Sequence, residues 1–161
     1  MIVVSDTSCL CYLAMIRQEE LLPLLFHDVI IPPAVAAELA RGAVDFPAIH
    51  RVLDAAWLTV RTLNSASRAA ELEKQVDRGE AEAITLAEEI HADLLMVDDQ
   101  EARDLAARLG IKRIGLLGVL IAAKKAAHLN GSLRPVLEAL LNLGFRASPS
   151  LIQQVLKEAG E

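Results

Sequence analysis

The chain has 161 residues, of which 53% are hydrophobic and only 3% aromatic, and its net charge is −6 at pH 7. This length and hydrophobicity suit one domain with a core of its own and exclude a disordered protein. The acidic balance argues against nucleic-acid binding through overall charge, and the scarcity of aromatic residues argues against base stacking. A nucleic-acid partner would have to be met by a local basic patch or through bound cations.

The start of the chain predicts a buried strand that ends in an acid. Ile2, Val3 and Val4 form a β-branched run without polar alternation, which is typical of a strand covered on both faces. The run ends at residues 5–8, Ser-Asp-Thr-Ser, which favour the start of a helix. Asp6 is therefore expected at the carboxyl end of a strand, where open parallel α/β sheets bind their ligands. It either caps the helix or holds a metal ion, and the second interpretation requires further acids at equivalent places.

The rest of the chain alternates short strands with helices, which predicts a parallel sheet with right-handed crossovers. We expect an α/β protein, a three-layer α/β/α sandwich of four to five strands in one domain over residues 1–161, with residues 145–161 as a C-terminal helical tail. The later strands are expected over 29–31, 57–61, 94–97 and 111–114. The later helices are expected over 19–26, 33–41, 46–55, 65–76, 80–91, 100–109, 116–127, 133–143 and 149–159, with Gly42 and residues 77–79 as breaks.

Two of the expected helices carry candidate acids. Glu38 shares a helix face with Val35 and Leu39, where a carboxylate loses hydration unless it is paired or binds a cation. Glu80 is expected on the core-facing side of its helix, and Glu82 on a more mixed side. Glu80 is thus the better candidate for a cleft, while Glu82 is an auxiliary group or a partner of the helix dipole only.

Asp98 and Asp99 follow the strand that most resembles the first one. If the two strands are parallel neighbours, Asp6 and Asp98 emerge at the same edge of the sheet. Two carboxylates about 4 Å apart repel by roughly 4 kcal/mol at an effective dielectric near 20, so protons or divalent cations must compensate them. A set of ligands made only of oxygen selects Mg²⁺ or Mn²⁺, and such ions activate water for attack on a phosphodiester.

Several other activities lack support in the sequence. Cys9 and Cys11 lie two residues apart in an expected helix, a spacing that matches neither a redox pair nor a zinc site. We interpret them as small buried hydrophobic residues, which suits a reducing cytoplasm. Dinucleotide and P-loop motifs are absent, and the four histidines have no ligand spacing. We expect no signal peptide and no membrane span, and therefore a cytoplasmic protein.

Four stretches together resemble a known family. They are Ser-Asp-Thr-Ser at 5–8, Glu38 after Ile-Ile-Pro-Pro, Gly-Glu-Ala-Glu-Ala-Ile from residue 79, and Leu-Leu-Met-Val-Asp-Asp from residue 94. In this order and spacing they look like a PIN domain, and the resemblance covers almost the whole chain. Within that family the chain is most similar to a branch described as predicted nucleic-acid-binding proteins and related to VapC-type toxins.

The resemblance implies a metal-dependent ribonuclease that hydrolyses RNA phosphodiesters with Mg²⁺ or Mn²⁺. It assigns roles to eight residues: the catalytic acids Asp6, Glu38, Glu80, Asp98 and Asp99, of which Asp6, Glu38, Glu80 and Asp98 hold metal, and the supporting Thr7, Ser8 and Glu82. The third acid is a glutamate where the family more often has aspartate, and Val97 stands where it often has threonine. The choices between Glu80 and Glu82, and between Asp98 and Asp99, stay open.

The partners follow from the same resemblance. RNA is the expected substrate, and Arg41, Arg103 and Lys112 are candidates to meet its phosphates, although basic side chains are by default solvated helix surface. A toxin of a toxin–antitoxin pair, held by a small antitoxin protein, and a homodimer are further expectations, with no role for a membrane. The alternative function is a degenerate PIN-like module that binds RNA or protein without cleavage.

Overall fold

The computed structural model describes residues 1–161. They divide into two compact units, residues 1–116 and residues 117–161. The first unit contains the whole sheet and every candidate site residue, and the second is helical. The single domain with a helical tail over residues 145–161 stays a prediction.

The first unit is built on five short strands. They are β1 (Val3–Ser5), β2 (Val29–Ile31), β3 (Leu58–Val60), β4 (Leu94–Met96) and β5 (Arg113–Ile114). All neighbouring strands are parallel, in the order β3-β2-β1-β4-β5. β1 is therefore central, and all three of its residues are buried, as the unbroken β-branched run predicted. The predicted parallel α/β/α fold is confirmed.

The pairing of β1 with β4 fixes where the acids emerge. Val3 pairs with Leu94, and Ser5 pairs with Met96. The hydrogen-bond ladder continues one residue further, since the backbone N–H of Asp6 donates to the carbonyl oxygen of Met96 at 3.0 Å. Asp6 and the residues just after β4 therefore leave the same edge of the sheet, as the sequence predicted.

Helices of the first unit cover the sheet. They are α1 (Thr7–Met15), α2 (Leu21–Phe26), α3 (Pro33–Asp45), α4 (His50–Leu53), α5 (Ala66–Leu72), α6 (Arg78–Glu89) and α7 (Gln100–Arg108), with a 3-10 turn at Pro47–Ile49. Val4 and Leu95 of the sheet pack with Ile84 of α6 and Leu105 of α7 in one aliphatic core. Burying aliphatic side chains of this size stabilises the fold by about 1.5–3 kcal/mol each.

Helix α6 is more deeply buried than its sequence suggested. It contacts helices α3, α5 and α7 and the strands β1 and β4, so it is enclosed on most sides. Its residues 81–87 are all buried, including Glu82, whereas Glu80 is only half-buried. The expectation that Glu80 takes the core-facing side and Glu82 a mixed side is therefore wrong, because helical periodicity does not reveal how many neighbours cover a helix.

Two predicted breaks lie inside helices. α3 continues through Gly42 to Asp45, and a Cβ at Gly42 would stand 3.1 Å from the Cδ1 atom of Ile49. This glycine allows close packing and does not end the helix. Of residues 77–79, which were expected to break the chain before α6, only Asp77 lies outside the helix. Asp77 is the N-cap of α6, and Gly79 lies within its first turn.

The second unit holds α8 (Leu116–Lys125) from residue 117 onward, α9 (Arg134–Asn142) and α10 (Pro149–Glu158). The Glu161 carboxylate accepts hydrogen bonds from the Ser132 hydroxyl and, at 2.6 Å, from the Leu133 backbone N–H. These bonds lower the pKa of Glu161. None of the helices in the chain combines the length and apolar character needed to cross a membrane.

Candidate functional site

A polar cavity opens at the carboxyl edge of the sheet. Its volume is about 200 Å³, and it lies where the N-termini of α1 and α6 meet the side of α3. The residues that line it are Asp6, Thr7, Ser8, Glu38, Asp77 and Glu80. Three of the acids assigned by resemblance therefore share one cavity.

Asp6 is the most buried of these acids, with 3% of its surface exposed. It caps α1, because its side chain accepts hydrogen bonds from the Cys9 backbone N–H and the Ser8 hydroxyl, both at 3.2 Å. Burial, with a smaller contribution from the charge of Asp98, raises the pKa of Asp6 to about 7, although the hydrogen bonds from Cys9 and Ser8 act to lower it. The capping and metal-binding interpretations of Asp6 do not exclude each other, since one carboxylate has lone pairs for both.

Glu38 faces the start of α6. The Thr7 hydroxyl donates a hydrogen bond to its Oε2 atom, which links α3 to the first residue of α1. Its carboxylate lies over Gly79, where a Cβ would stand 2.7 Å from Oε1 and 2.8 Å from Oε2. Thr7 and Gly79 together fix the position of the second acid.

Glu80 forms a capping box with Asp77. The Asp77 backbone N–H donates to Glu80 Oε2 at 3.2 Å, and the Glu80 backbone N–H donates to Asp77 Oδ1 at 2.8 Å. Burial raises the pKa of Glu80 to about 7, with further contributions from the charges of Asp77, Asp99 and Asp6. The third acid thus lies within the electrostatic field of the first and fourth.

Asp98 and Asp99 have different surroundings. Asp98 accepts hydrogen bonds from the Leu116 backbone N–H at 3.1 Å and from the Cys9 thiol at 3.3 Å. Asp99 is exposed and caps α7 by accepting from the Ala102 backbone N–H at 3.1 Å. The charge of Asp98 raises the pKa of Asp6, while the charge of Asp99 raises the pKa of Glu80.

Cys9 belongs to the site, although sequence reasoning treated it only as a small buried residue. Its thiol lies against Asp98, and burial together with the charges of Asp6 and Asp98 raises its pKa well above the usual range. The thiol therefore stays protonated and acts as a hydrogen-bond donor. Cys9 follows Asp6 by three residues, about one helical turn, and this spacing is the feature of the sequence that could have placed it near the acids.

Glu82 does not face the cavity. Its Oε1 atom accepts a hydrogen bond from the Ala34 backbone N–H at 3.0 Å, and its Oε2 atom accepts from Arg78 Nε at 3.3 Å. The bond to Ala34 joins α6 to the first turn of α3, whose N-cap Pro32 supplies no side-chain bond, while the bond to Arg78 stays within α6. Glu82 supports a neighbouring helix N-terminus, and Glu80 is the glutamate of α6 that lines the cavity.

The candidate basic residues are spread over the unit. Arg41 is exposed on α3 beside Glu38. Arg103 turns inward and donates to the Val97 carbonyl oxygen at 3.0 Å. Lys112 precedes β5, so in a parallel sheet it lies at the opposite edge from the acids. The structure therefore brings only Arg41 close to the cavity in an open position.

None of the candidate acids Asp6, Glu38, Glu80, Asp98 and Asp99 forms an ion pair within 4.0 Å. Every ion pair within 4.0 Å in the chain involves Glu19, Glu71, Glu82, Glu88 or Glu161. Buried carboxylates without a cation are costly, which is the reason for the raised pKa values of Asp6 and Glu80. No three acidic, histidine or cysteine side chains have donor atoms arranged around one point as metal ligands. The donor chemistry fits a hard divalent cation, whereas the side chains as placed are satisfied by local hydrogen bonds.

A parallel sheet with acids gathered at its carboxyl edge defines a PIN-like α/β protein. The DUF3368 family model, described as a PIN domain, matches residues 2–161, and the chain belongs to this family. Proteins of the family are typically nucleases. The structure is similar to a PilT N-terminus domain protein from the hyperthermophilic archaeon Sulfolobus solfataricus P2, with a TM-score of 0.58 and 20% identity over 76% of this chain and 93% of that chain. This likeness shows the fold alone. No curated protein matches this chain in sequence.

Proposed function

We propose that this protein is a Mg²⁺- or Mn²⁺-dependent endoribonuclease. The observation that carries the proposal is the set of acids at one sheet edge with no basic residue within ion-pair distance. Such a set needs an external positive charge, and oxygen ligands favour Mg²⁺ or Mn²⁺ over zinc. Membership of the PIN-domain family supports a nuclease in particular.

Four residues would hold the ion: Asp6, Glu38, Glu80 and Asp98. The chemistry that a divalent ion supplies when bound is the activation of water and the stabilisation of charge on the phosphodiester oxygens. The first two carboxylates are oriented by neighbouring hydroxyl groups, since Thr7 donates to Glu38 and Ser8 donates to Asp6. On this basis Thr7 and Ser8 would support the site by holding these two carboxylates in place.

Asp98 is held from two sides by the Leu116 backbone N–H and the Cys9 thiol. A carboxylate held in this way loses little conformational freedom when it binds a cation. Glu80 uses only its Oε2 atom in the bond to the Asp77 backbone, so its other oxygen would be open to a cation. Asp99, which caps α7, is not among the residues that line the cavity and contributes charge near Glu80.

The test is an RNA cleavage assay. Purified protein is incubated with single-stranded RNA and Mn²⁺, with EDTA as one control and Asp6→Asn as another. Asp28→Asn is the matched substitution, because Asp28 is exposed and precedes β2 at the opposite edge of the sheet. Cleavage that requires Mn²⁺ and Asp6 but not Asp28 supports the proposal. Cleavage that persists in Asp6→Asn comes from a contaminant and contradicts it.

A second candidate is a PIN-like module that binds RNA or protein without cleaving RNA. The observation in its favour is that no three donor side chains are arranged as ligands of one ion. The same assay separates the two functions: RNA binding without Mn²⁺-dependent cleavage favours the second.

The biological role that we propose with the nuclease is that of a toxin restrained by a small antitoxin protein, acting as a homodimer in the cytoplasm. Its support is the family membership and two free thiols, which suit a reducing compartment. Expression in a bacterial host is expected to arrest growth with the wild-type chain and not with Asp6→Asn. Light scattering of the purified protein measures the expected dimer mass.

A further inference from the structure

A second groove opens beside the acid cavity and shares Glu38 with it. Its volume is about 320 Å³. One wall is the N-terminal half of α3, and the other is the first residue of α6. The residues that line the groove are Pro33, Ala34, Ala37, Glu38, Arg41 and Arg78. It thus joins a floor of small apolar residues to two arginines.

Arg78 is oriented by a buried acid. Its side chain is 74% exposed, whereas that of its ion-pair partner Glu82 is 11% exposed. Glu82 is itself fixed, because its other oxygen accepts from the Ala34 backbone N–H. Only the Nε–H of Arg78 is used in this pair, so the two terminal nitrogens, which carry the other N–H groups, remain available.

Arg41 stands on the other side of the groove. It follows Glu38 by three residues, which is close to one turn of α3, so both side chains lie on the same helix face. Arg41 is exposed and makes no hydrogen bond or ion pair with the protein. Two guanidinium groups without a carboxylate at their terminal nitrogens therefore face one groove.

We propose that Arg41 and Arg78 bind a backbone phosphate of single-stranded RNA in this groove, next to the phosphodiester held at the acid cavity, with Glu82 as the residue that positions Arg78. This inference rests on the proposed function, because it takes RNA as the substrate of the acid cavity. The groove would then hold the part of the RNA that leaves the cavity. A guanidinium group matches the geometry of a phosphate through paired N–H donors. Because the protein as a whole is acidic, such a local pair is where RNA phosphates gain attraction.

The walls of the groove predict the kind of recognition. Alanine and proline side chains have no donors or acceptors for base edges and no aromatic ring for stacking. Contacts to phosphate position a nucleic acid without reading its sequence. We therefore expect this groove to contribute affinity and register for RNA, and little base preference.

Fluorescence anisotropy with a short fluorescein-labelled oligouridine tests the proposal. EDTA is present, so that binding is measured without cleavage. Arg41→Gln and Arg78→Gln are each expected to weaken binding by about tenfold. Each is also expected to lower the slope of log affinity against log salt by about 0.7. Arg108→Gln is the matched control, because Arg108 is exposed at the end of α7 opposite Asp99. It removes the same charge and is expected to bind as the wild type does.

The outcomes separate this inference from the nuclease proposal. Loss of binding in both groove variants but not in Arg108→Gln supports the RNA path, even if Mn²⁺ produces no cleavage and the nuclease proposal fails. Wild-type binding in a variant that carries both Arg41→Gln and Arg78→Gln overturns it, even if Asp6-dependent cleavage is present. An equal loss in the groove variants and the Arg108 control also overturns it, since overall charge would then explain the binding.

Discussion

Gly79 lies directly against the carboxylate of Glu38. A Cβ at Gly79 would stand 2.7 Å from one carboxylate oxygen and 2.8 Å from the other, too close for non-bonded atoms. Gly79 is the second residue of α6, whereas Glu38 belongs to α3. The absence of a side chain at the start of one helix therefore determines where the acid of another can lie.

Gly79→Ala is expected to separate activity from stability. The added methyl group displaces the end of the flexible Glu38 side chain and costs little packing, while alanine favours a helix over glycine by up to about 1 kcal/mol. We expect an unchanged or higher melting temperature and Mn²⁺-dependent cleavage reduced by about 100-fold, since small displacements of reacting groups have effects of this size. The measurements are thermal unfolding and the cleavage rate.

Gly42→Ala is the matched helical glycine for that experiment. Its Cβ would meet the Ile49 side chain and none of the acids. Cleavage at the wild-type rate is expected for Gly42→Ala. Equal rates for Gly79→Ala and the wild type would show that the position of Glu38 is unimportant for cleavage.

Gly115→Ala is expected to lower both the stability of the fold and the cleavage activity. A Cβ there would stand 2.6 Å from Asp98 Oδ1 and 3.1 Å from Arg103 Nη1. Asp98 cannot move away freely, because it is bonded to the Leu116 backbone N–H and the Cys9 thiol. We expect a loss of about 1–3 kcal/mol in the free energy of unfolding, from a buried donor left without its acceptor, together with loss of cleavage. Urea denaturation measures the loss in the free energy of unfolding. An unchanged midpoint would contradict the idea that the bonds from Leu116 and Cys9 hold Asp98 in place.

The sheet and its acidic edge could be predicted because they depend on local patterns. A run such as Val3-Val4 without polar alternation is typical of a strand covered on both faces, and a strand that resembles it is a natural parallel neighbour. Asp6 and Asp98 then follow from their positions after those strands. These positions predict a shared edge of the sheet, but they predict no distances between side chains.

The surroundings of the acids could not be predicted from such patterns. The Cys9–Asp98 contact joins residues 89 positions apart, and only the tertiary fold brings them together. Glu82 illustrates a second limit, because the periodicity of α6 shows which residues share a face but not that several other elements, α3 and α5 among them, pack against the helix. Its role at the start of α3 depends on that packing.

The stability of the metal-free protein is expected to fall as the pH rises from about 4 to about 7. The pKa of Asp6 is about 7 in the folded chain, against an ordinary value of 3.8, so the folded state binds the extra proton in this range. The contribution of this proton to the free energy of unfolding is complete at a pH below the pKa of Asp6 in the unfolded chain. It is lost as the pH rises through the pKa of Asp6 in the folded chain. The difference corresponds to about 4 kcal/mol for complete titration. Urea denaturation in EDTA at pH 5 and pH 8 covers the upper part of this range, in which a fall of about 3 kcal/mol is expected.

Asp6→Asn is the control for the pH dependence, because asparagine does not titrate. Glu80 has its pKa raised to about 7 as well, so a smaller slope of the same sign is expected to remain in the variant. A slope as steep in Asp6→Asn as in the wild type would mean that Asp6 is ionised at low pH in the folded protein. Its charge would then be compensated without a metal ion, contrary to the proposed site.

Substitutions at Glu80 and Glu82 are expected to affect different properties: those at Glu80 lower turnover, and those that remove the acceptor at Glu82 lower stability. Glu82→Ala leaves the buried Ala34 N–H without its acceptor and is expected to cost about 1–3 kcal/mol, whereas Glu82→Gln keeps an acceptor oxygen and most of the stability. Glu80 is half-buried, and its side-chain bonds lie at the surface, so Glu80→Gln is expected to reduce Mn²⁺-dependent turnover with little effect on unfolding. Turnover at saturating RNA and the unfolding midpoint are measured together for all three variants. If Glu82→Gln lowers turnover as far as Glu80→Gln does, Glu82 acts at the cavity, and its bonds to Ala34 and Arg78 do not describe its main role.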